Sequence, residues 1–320
     1  MVNDSSVPFF LTPLPIPEPA VRIIGLADLQ DFFKNPARHL LRQGLQVTLR
    51  EAEEELDDEE PFGIDGASRS ALAARLLPAL QAGMADDAIL TLAEAGREYP
   101  VGALGRSLLL RELPALRHYA ARVPAARPGS PAWSVTGHFE AEAGGLKVIL
   151  DETMVGVEAS GLRCHRYGSP WARDKLETWL THVFFNAARA LGTCDPPRVT
   201  CWLGRDSGFA FRPCGESERV LHELLRLYAQ GQRLPLRFAP RTALTYVEHL
   251  ARGREHALRE ARKEWLGQGE PHAAWGKRGE SDSPAWRIAL RHDPNPLNEE
   301  FERAACAVFE PLLAHLVEEA

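Results

Sequence analysis

A chain of 320 residues, 45% of them apolar, can bury one large core or two modest ones. Its formal net charge of −7 argues against gripping a polyanion by bulk charge alone. Five cysteines (Cys164, Cys194, Cys201, Cys214, Cys306), odd in number and without a C-x-x-C pair, argue against a disulfide scaffold or a standard zinc site and fit a reducing compartment.

The chain opens on a proline-rich stretch, "MVNDSSVPFFLTPLPIPEP", read as an extended arm over residues 1–21. It lacks the basic n-region and unbroken apolar core of a signal peptide, and no later run is long enough to span a bilayer, so a cytoplasmic location and no membrane are expected. Leu26, Leu29, Phe32 and Phe33 then fall at helical spacing, and Asn35-Pro36 restarts the helix with an N-cap and an N1 proline. Residues 51–60, "EAEEELDDEE", form an acidic run, the usual signature of a solvated face or of a surface for a basic partner. Leu72, Leu76, Leu77 and Leu80 predict a further helix, and residues 86–122 two or three more, broken at Pro100 and Pro114. "ARVPAARPGSPAW" is a breaker-rich connector.

From Trp133 the period changes. "WSVTGHFEAE", "LKVILDETM" and "GLRCHRY" predict a meander of strands, with Asp151-Glu152 at a turn and residues 156–166 forming a hairpin. A helix over 171–191 buries Leu176, Trp179, Leu180, Val183, Phe184 and Leu191. Two strands follow, closed by Asp206-Ser207-Gly208. Helices are then expected near 217–230 and 247–265, a loop over 267–297, and a last helix carrying Phe301, Val308 and Phe309 and kinked by Pro311.

Few constellations in this layout carry chemistry. His138, His165 and His182 lie near the strands, and Cys164 adjoins His165. Neighbours on a strand point to opposite faces, however, so Cys164 and His165 cannot grip one atom, and one packed and one exposed side chain are expected. Glu140, Asp151, Glu152 and Glu158 are the candidate acids for a divalent cation, yet no D-x-K or E-x-K follows them and solvated turn acids are expected. Walker-type loops and the G-x-S-x-G elbow are absent from the sequence. Arg163, Arg166, Arg173 and Lys175, interleaved with Tyr167 and Trp171, form the basic cluster that could follow a nucleic-acid backbone.

Six stretches in order, "LADLQDFFKNPARHLL", "DDEEPFGIDG", "GLRCHRYGSPWARDKLETWLTHVFFNA", "LYAQGQRLPLRFAP", "WGKRGESDSPAW" and "FEPLLAHL", resemble the C-terminal domain of the exodeoxyribonuclease V gamma chain family, the RecC subunit of the RecBCD helicase–nuclease. The resemblance covers most of the chain from about residue 22. It implies a C-terminal fragment of a longer protein with an α/β fold: a PD-(D/E)xK nuclease-like core, a mixed sheet flanked by helices, at about 129–320, behind a helical part at about 22–128. Active relatives of that fold carry G-x-x-x-H-x-L, G-x-x-D and D-x-K. Matched residue by residue, Ser70 stands at the histidine, Ala159 and Cys164 at the acids and Arg166 at the lysine, which implies a catalytically degenerate site. The implied role is a non-catalytic scaffold in double-strand-break repair by recombination, with RecB- and RecD-type partners, DNA contact as part of the complex, and no cofactor or metal. Two rivals stand beside it: an active Mg²⁺ nuclease using Glu140, Asp151 and Glu158, and a protein-interaction module without DNA contact.

Overall fold

The structure, a computed structural model, describes residues 8–49, 66–124, 133–191, 195–268 and 277–319. The acidic run at 51–60, the connector at 125–132 and Cys194 lie outside the described residues. The architecture is mixed α/β, with two small four-stranded mixed sheets flanked by helices.

The first sheet has β1 (Val21–Ile24), β3 (Leu146–Val157), β2 (Trp133–Ala143) and β5 (Arg189–Ala190) in that spatial order. β2 and β3 form a long antiparallel hairpin, turned by Gly144 and Gly145 at φ +58° and +81°. Two consecutive positive φ values match the strand twist, and glycine adopts them without steric cost. Alternation places Leu146, Val148 and Leu150 inward, all fully buried. β1 joins β3 in parallel, Val21 opposite Lys147 through Ile24 opposite Leu150. A strand that composition did not reveal therefore begins at the last residue of the expected arm. Asp151 and Glu152, expected at a turn, lie inside β3 opposite His138 and Gly137.

Helices α1 (Leu26–Lys34) and α2 (Pro36–Gly44) follow β1, and their junction is the one anticipated: Asn35 Oδ1 accepts from the Arg38 N–H at 2.9 Å. α3 (Gly66–Gln81), α4 (Asp86–Glu94) and α5 (Ala103–Arg122) make a separate helical unit. Pro114 does not break α5. It is an exposed interior residue, and burial of Leu109, Leu113, Leu116 and Tyr119 along the opposite face outweighs the hydrogen bond that proline removes.

The second sheet corrects the expected hairpin at 156–166. Only Glu158 and Gly161 pair, around Ala159-Ser160; beyond them the chain departs, and β4 (Leu162–His165) runs parallel to β6 (Thr200–Leu203), Leu162 opposite Thr200. β6 continues antiparallel into β7 (Gly208–Phe211), as the Asp206-Ser207-Gly208 turn predicts. The opposite edge is β10 (Leu316–Glu319), an unanticipated strand after the final helix.

α6 (Ala172–Ala187) stops four residues short of the expected end, and Leu191 is 54% exposed rather than on its buried stripe. α7 (Ser217–Gly231), α8 (Pro240–His249) and α9 (Arg254–Leu266) follow, with Gly253 at φ +103° separating the last two. The short pair β8 (Gly267–Gln268) and β9 (Lys277–Arg278) precedes α10 (Pro284–Ala289), which lies in the segment expected to be a loop, and α11 (Glu299–His315) runs through Pro311. The larger core joins the inner faces of both sheets to α1, α2, α6, α7, α8 and α11; the smaller one holds α3–α5 with Tyr167 and Leu203 against it. Among the described residues no helix is long and apolar enough to cross a membrane.

Candidate functional site

The turn before β4, β4 itself and the residue after it carry Ala159, Cys164 and Arg166, three of the four positions matched to catalytic groups. Glu158 and Gly161 exchange backbone hydrogen bonds at 3.2 and 3.0 Å, which leaves Ala159 exposed at the tip. Gly161 has φ +106°, and a Cβ there would lie 2.4 Å from the Val199 carbonyl oxygen, so the turn admits only glycine. Arg163 folds back on this turn, its Nε donating to Ser160 Oγ at 3.1 Å beside Glu158 at 3.2 Å.

Strand alternation then separates Cys164 from His165, as expected. Cys164 packs on the larger core, where burial first, and the nearby Cys201 and Glu177 next, push its thiol up to about 11. A thiol so placed stays protonated at neutral pH. His165 turns to the helical unit, with Nδ1 2.9 Å from the Tyr119 hydroxyl, and burial lowers its pKa.

Arg166 is clamped. Its Nε and Nη2 donate to the two oxygens of Asp174 at 2.8 and 2.6 Å, Nη2 also donates to the Ser169 carbonyl at 2.8 Å, and the guanidinium lies 5.7 and 5.9 Å from the Trp171 and Trp202 ring centroids. Asp174 Oδ2 accepts in addition from the Trp171 N–H at 2.8 Å, closing the start of α6. Ser70 is half-buried on α3, and no hydrogen bond among the described residues joins it to these positions.

The candidate acids do not converge. Glu152 follows Leu150 on the inward row of β3 and accepts from the Leu26 N–H at 3.1 Å, a carboxylate at the positive end of α1. Glu140 pairs with Lys147, whose ammonium holds the carboxyl below its usual range, and Asp151 lies 3.4 Å from His138. Among the described residues no three His, Cys, Asp or Glu side chains form a group that could hold a cation. His182 is fully buried between Thr200 Oγ1 at 2.8 Å and the Arg212 carbonyl at 3.0 Å, and burial brings its pKa down to about 4. It is thus neutral, donating from Nε2 to the carbonyl and accepting from threonine at Nδ1.

Of the basic cluster, Lys175 reaches Glu318 of β10 at 3.1 Å with its side chain 14% exposed, so it and Arg166 face internal partners. Arg173 differs. Its side chain is 63% exposed and shares Glu177 with Lys34, at 2.7 and 3.0 Å. Arg173 and the exposed Trp171 border a groove of about 780 Å³, completed by Lys34 and Arg38 at the α1–α2 corner and Arg241 at the start of α8. Beneath it Glu280 accepts from the Arg241 and Thr242 N–H groups at 3.2 and 2.7 Å, so the α8 N-terminus is already capped. Lys34, Arg38 and Arg241 were missed because they come from distant segments with no shared local pattern; the exposed Trp171 beside Arg173 was the one sequence signal.

The family described as the RecC C-terminal domain matches residues 22–251. RecBCD enzyme subunit RecC of Escherichia coli (strain K12) is 26% identical over 243 residues, which is 75% of this chain and 20% of that protein. The chain thus spans about a fifth of the length of the relative it matches.

Proposed function

The chain belongs to the RecC C-terminal domain family, and from that premise we propose that it is a non-catalytic scaffold domain of a RecBCD-type complex, docking RecB- and RecD-type subunits and touching DNA. One observation carries the non-catalytic part: Ala159 offers no ligand where an acid would stand, and the neighbouring candidate groups are engaged elsewhere. Cys164 is a protonated thiol, Arg166 is locked on Asp174, and Glu152 caps α1. These residues do not fit a divalent cation, which needs several converging oxygen ligands. The order hairpin β2–β3, β4, then α6 supports reading about 129–320 as a degenerate PD-(D/E)xK core, behind a helical part at about 22–128 in one domain over 22–320.

DNA contact belongs at the groove of Lys34, Arg38, Trp171, Arg173 and Arg241. It gathers cations in a chain whose net charge is −7, beside an aromatic ring on which a base could stack. Of the cluster expected from sequence, Arg173 borders this groove and is the member assigned to DNA in this reading, while the exposed Arg163 lies outside the groove lining. A labelled single strand with Mg²⁺ or Mn²⁺ tests the catalytic half: no cleavage is expected, and cleavage abolished by Glu158→Ala would establish the active-nuclease alternative. In an assembled complex on forked DNA, crosslinks from Arg173 are expected; co-purification with a RecD-type subunit but no such crosslinks would leave a protein-interaction module.

A further inference from the structure

Facing away from the larger core, α9 carries a row of charge that the fold does not use. The helix buries Ala257, Ala261 and Trp265, spaced i, i+4 and i+8. At about 100° per residue its opposite side bears Glu255, Arg259, Arg262 and Leu266, and Arg252 lies in the 3-10 turn that precedes it. All of these are exposed, Leu266 to 62%. The backing is firm. Arg254 donates to both oxygens of Glu302 on α11 at 2.6 and 2.5 Å, and the Trp265 ring meets that of Trp286 on α10 edge-on at 5.7 Å.

The other charges of this stretch are accounted for. Arg254 is held by Glu302, Lys263 pairs with Glu260 at 2.8 Å, and Glu264 lies on the side of the groove with a partner of its own. What remains is Arg252, Arg259 and Arg262 against the single carboxylate of Glu255, and none of these four side chains makes a hydrogen bond or ion pair among the described residues. They stay unpaired in a chain with 44 acids to 37 cations, where Arg106, Arg117 and Arg219, also on the surface, each meet a carboxylate. Arg259 and Arg262 leave the helix about 4.5 Å apart along its axis, so carboxylates on one opposing surface can take both forks. The make-up of the row selects the partner. A phosphate backbone would gain nothing from Leu266 and would meet the Glu255 carboxylate between Arg252 and Arg259. A protein surface can match a mixed row, with carboxylates for the arginines and apolar cover for the leucine.

We propose that this face of α9 docks an acidic protein surface, with Arg259 and Arg262 forked onto carboxylates of the partner and Leu266 covered by an apolar side chain. The proposal rests on the docking half of the scaffold reading and gives that docking a place and a chemistry. It does not rest on the groove.

The 320-residue chain is titrated with purified RecB- and RecD-type subunits at low and at high salt, and the Kd of assembly is measured. Wild type should bind more tightly at low salt. Arg259→Glu/Arg262→Glu should weaken binding about tenfold or more, and the neutral pair Arg259→Gln/Arg262→Gln should fall between it and wild type. Arg219→Glu/Arg226→Glu, the same change of net charge placed on α7, should bind as wild type does. Arg259 and Arg262 have no partners to lose, so the unfolding midpoints of their variants should match wild type and a lost affinity reports docking. Equal binding by wild type and Arg259→Glu/Arg262→Glu overturns the proposal and leaves the docking reading standing, as does an equal loss in the α7 control. Wild type that binds neither subunit overturns both. If the α9 variant assembles as wild type does yet loses a labelled oligonucleotide, the face belongs to nucleic acid and the proposal fails.

Discussion

Arg166 decides between a surviving phosphate contact and a structural clamp, and Arg166→Ala separates the two. The substitution removes two charge-assisted hydrogen bonds to Asp174, at 2.8 and 2.6 Å, and one to the Ser169 carbonyl. It leaves a carboxylate whose side chain is 12% exposed with the Trp171 N–H as its remaining close donor. Charge-assisted bonds contribute about 1.5–3 kcal/mol each when buried, but the arginine side chain is 32% exposed and solvent screens part of that. A net loss of about 2 kcal/mol follows, or about 3 °C in Tm. Thermal and urea unfolding of wild type, Arg166→Ala and Arg166→Lys measure it; the lysine keeps the charge without the fork and should recover less than half. DNA affinity, measured alongside, should fall no further than the fraction unfolded. Unchanged stability with a tenfold loss of DNA binding would refute the clamp and make Arg166 a phosphate ligand.

The buried His182 predicts a pH dependence. Its pKa is about 4 when folded and near 6.5 when unfolded, so its stabilising contribution is complete above about pH 6.5 and is lost as pH falls toward 4, up to about 3 kcal/mol. His182→Gln should flatten that limb of the stability curve, and an unflattened curve would show the loss to come from carboxylates. Gly161→Ala, which sets a methyl against the Val199 carbonyl at positive φ, should destabilise by about 2–4 kcal/mol, read from denaturant midpoints. Cys164→Asp, which restores an acid at that position, should cost about 3 kcal/mol by burying a carboxylate near Glu177, and yield no Mg²⁺-dependent cleavage in the strand assay.

Helices whose apolar stripe spans several turns were legible in the sequence. Leu29, Phe32 and Phe33 on α1, the Asn35-Pro36 restart and Leu176 to Phe184 on α6 all bury as their spacing dictates, because a stripe of that width has one way to leave water. The short edge strands were not. β1 and β10 are four residues each, and their strand character depends on partners more than 100 positions away. The hairpin at 156–166 failed for the same reason: local alternation signals a strand but not its neighbour, and β4 found Thr200 rather than the end of β3. Of the site, strand parity correctly divided Cys164 from His165. Partners such as Asp174, eight positions from Arg166, and Glu152, 126 from Leu26, follow from tertiary placement alone.

The two edge strands also set the order in which this domain can come together. β1 pairs in parallel with a strand that begins 125 residues later, and β10 lies against a strand that ended 105 residues earlier. Neither sheet can be finished by neighbours meeting in sequence, since each waits on a distant segment and bears the loop-closure cost first. Such closure favours collective, slow assembly over a steady accumulation of folded pieces along the emerging chain. During synthesis, the segment at 21–24 must stay unpaired until residues 147–150 have emerged, an interval in which Ile24, buried in the finished fold, is open to binding by a chaperone.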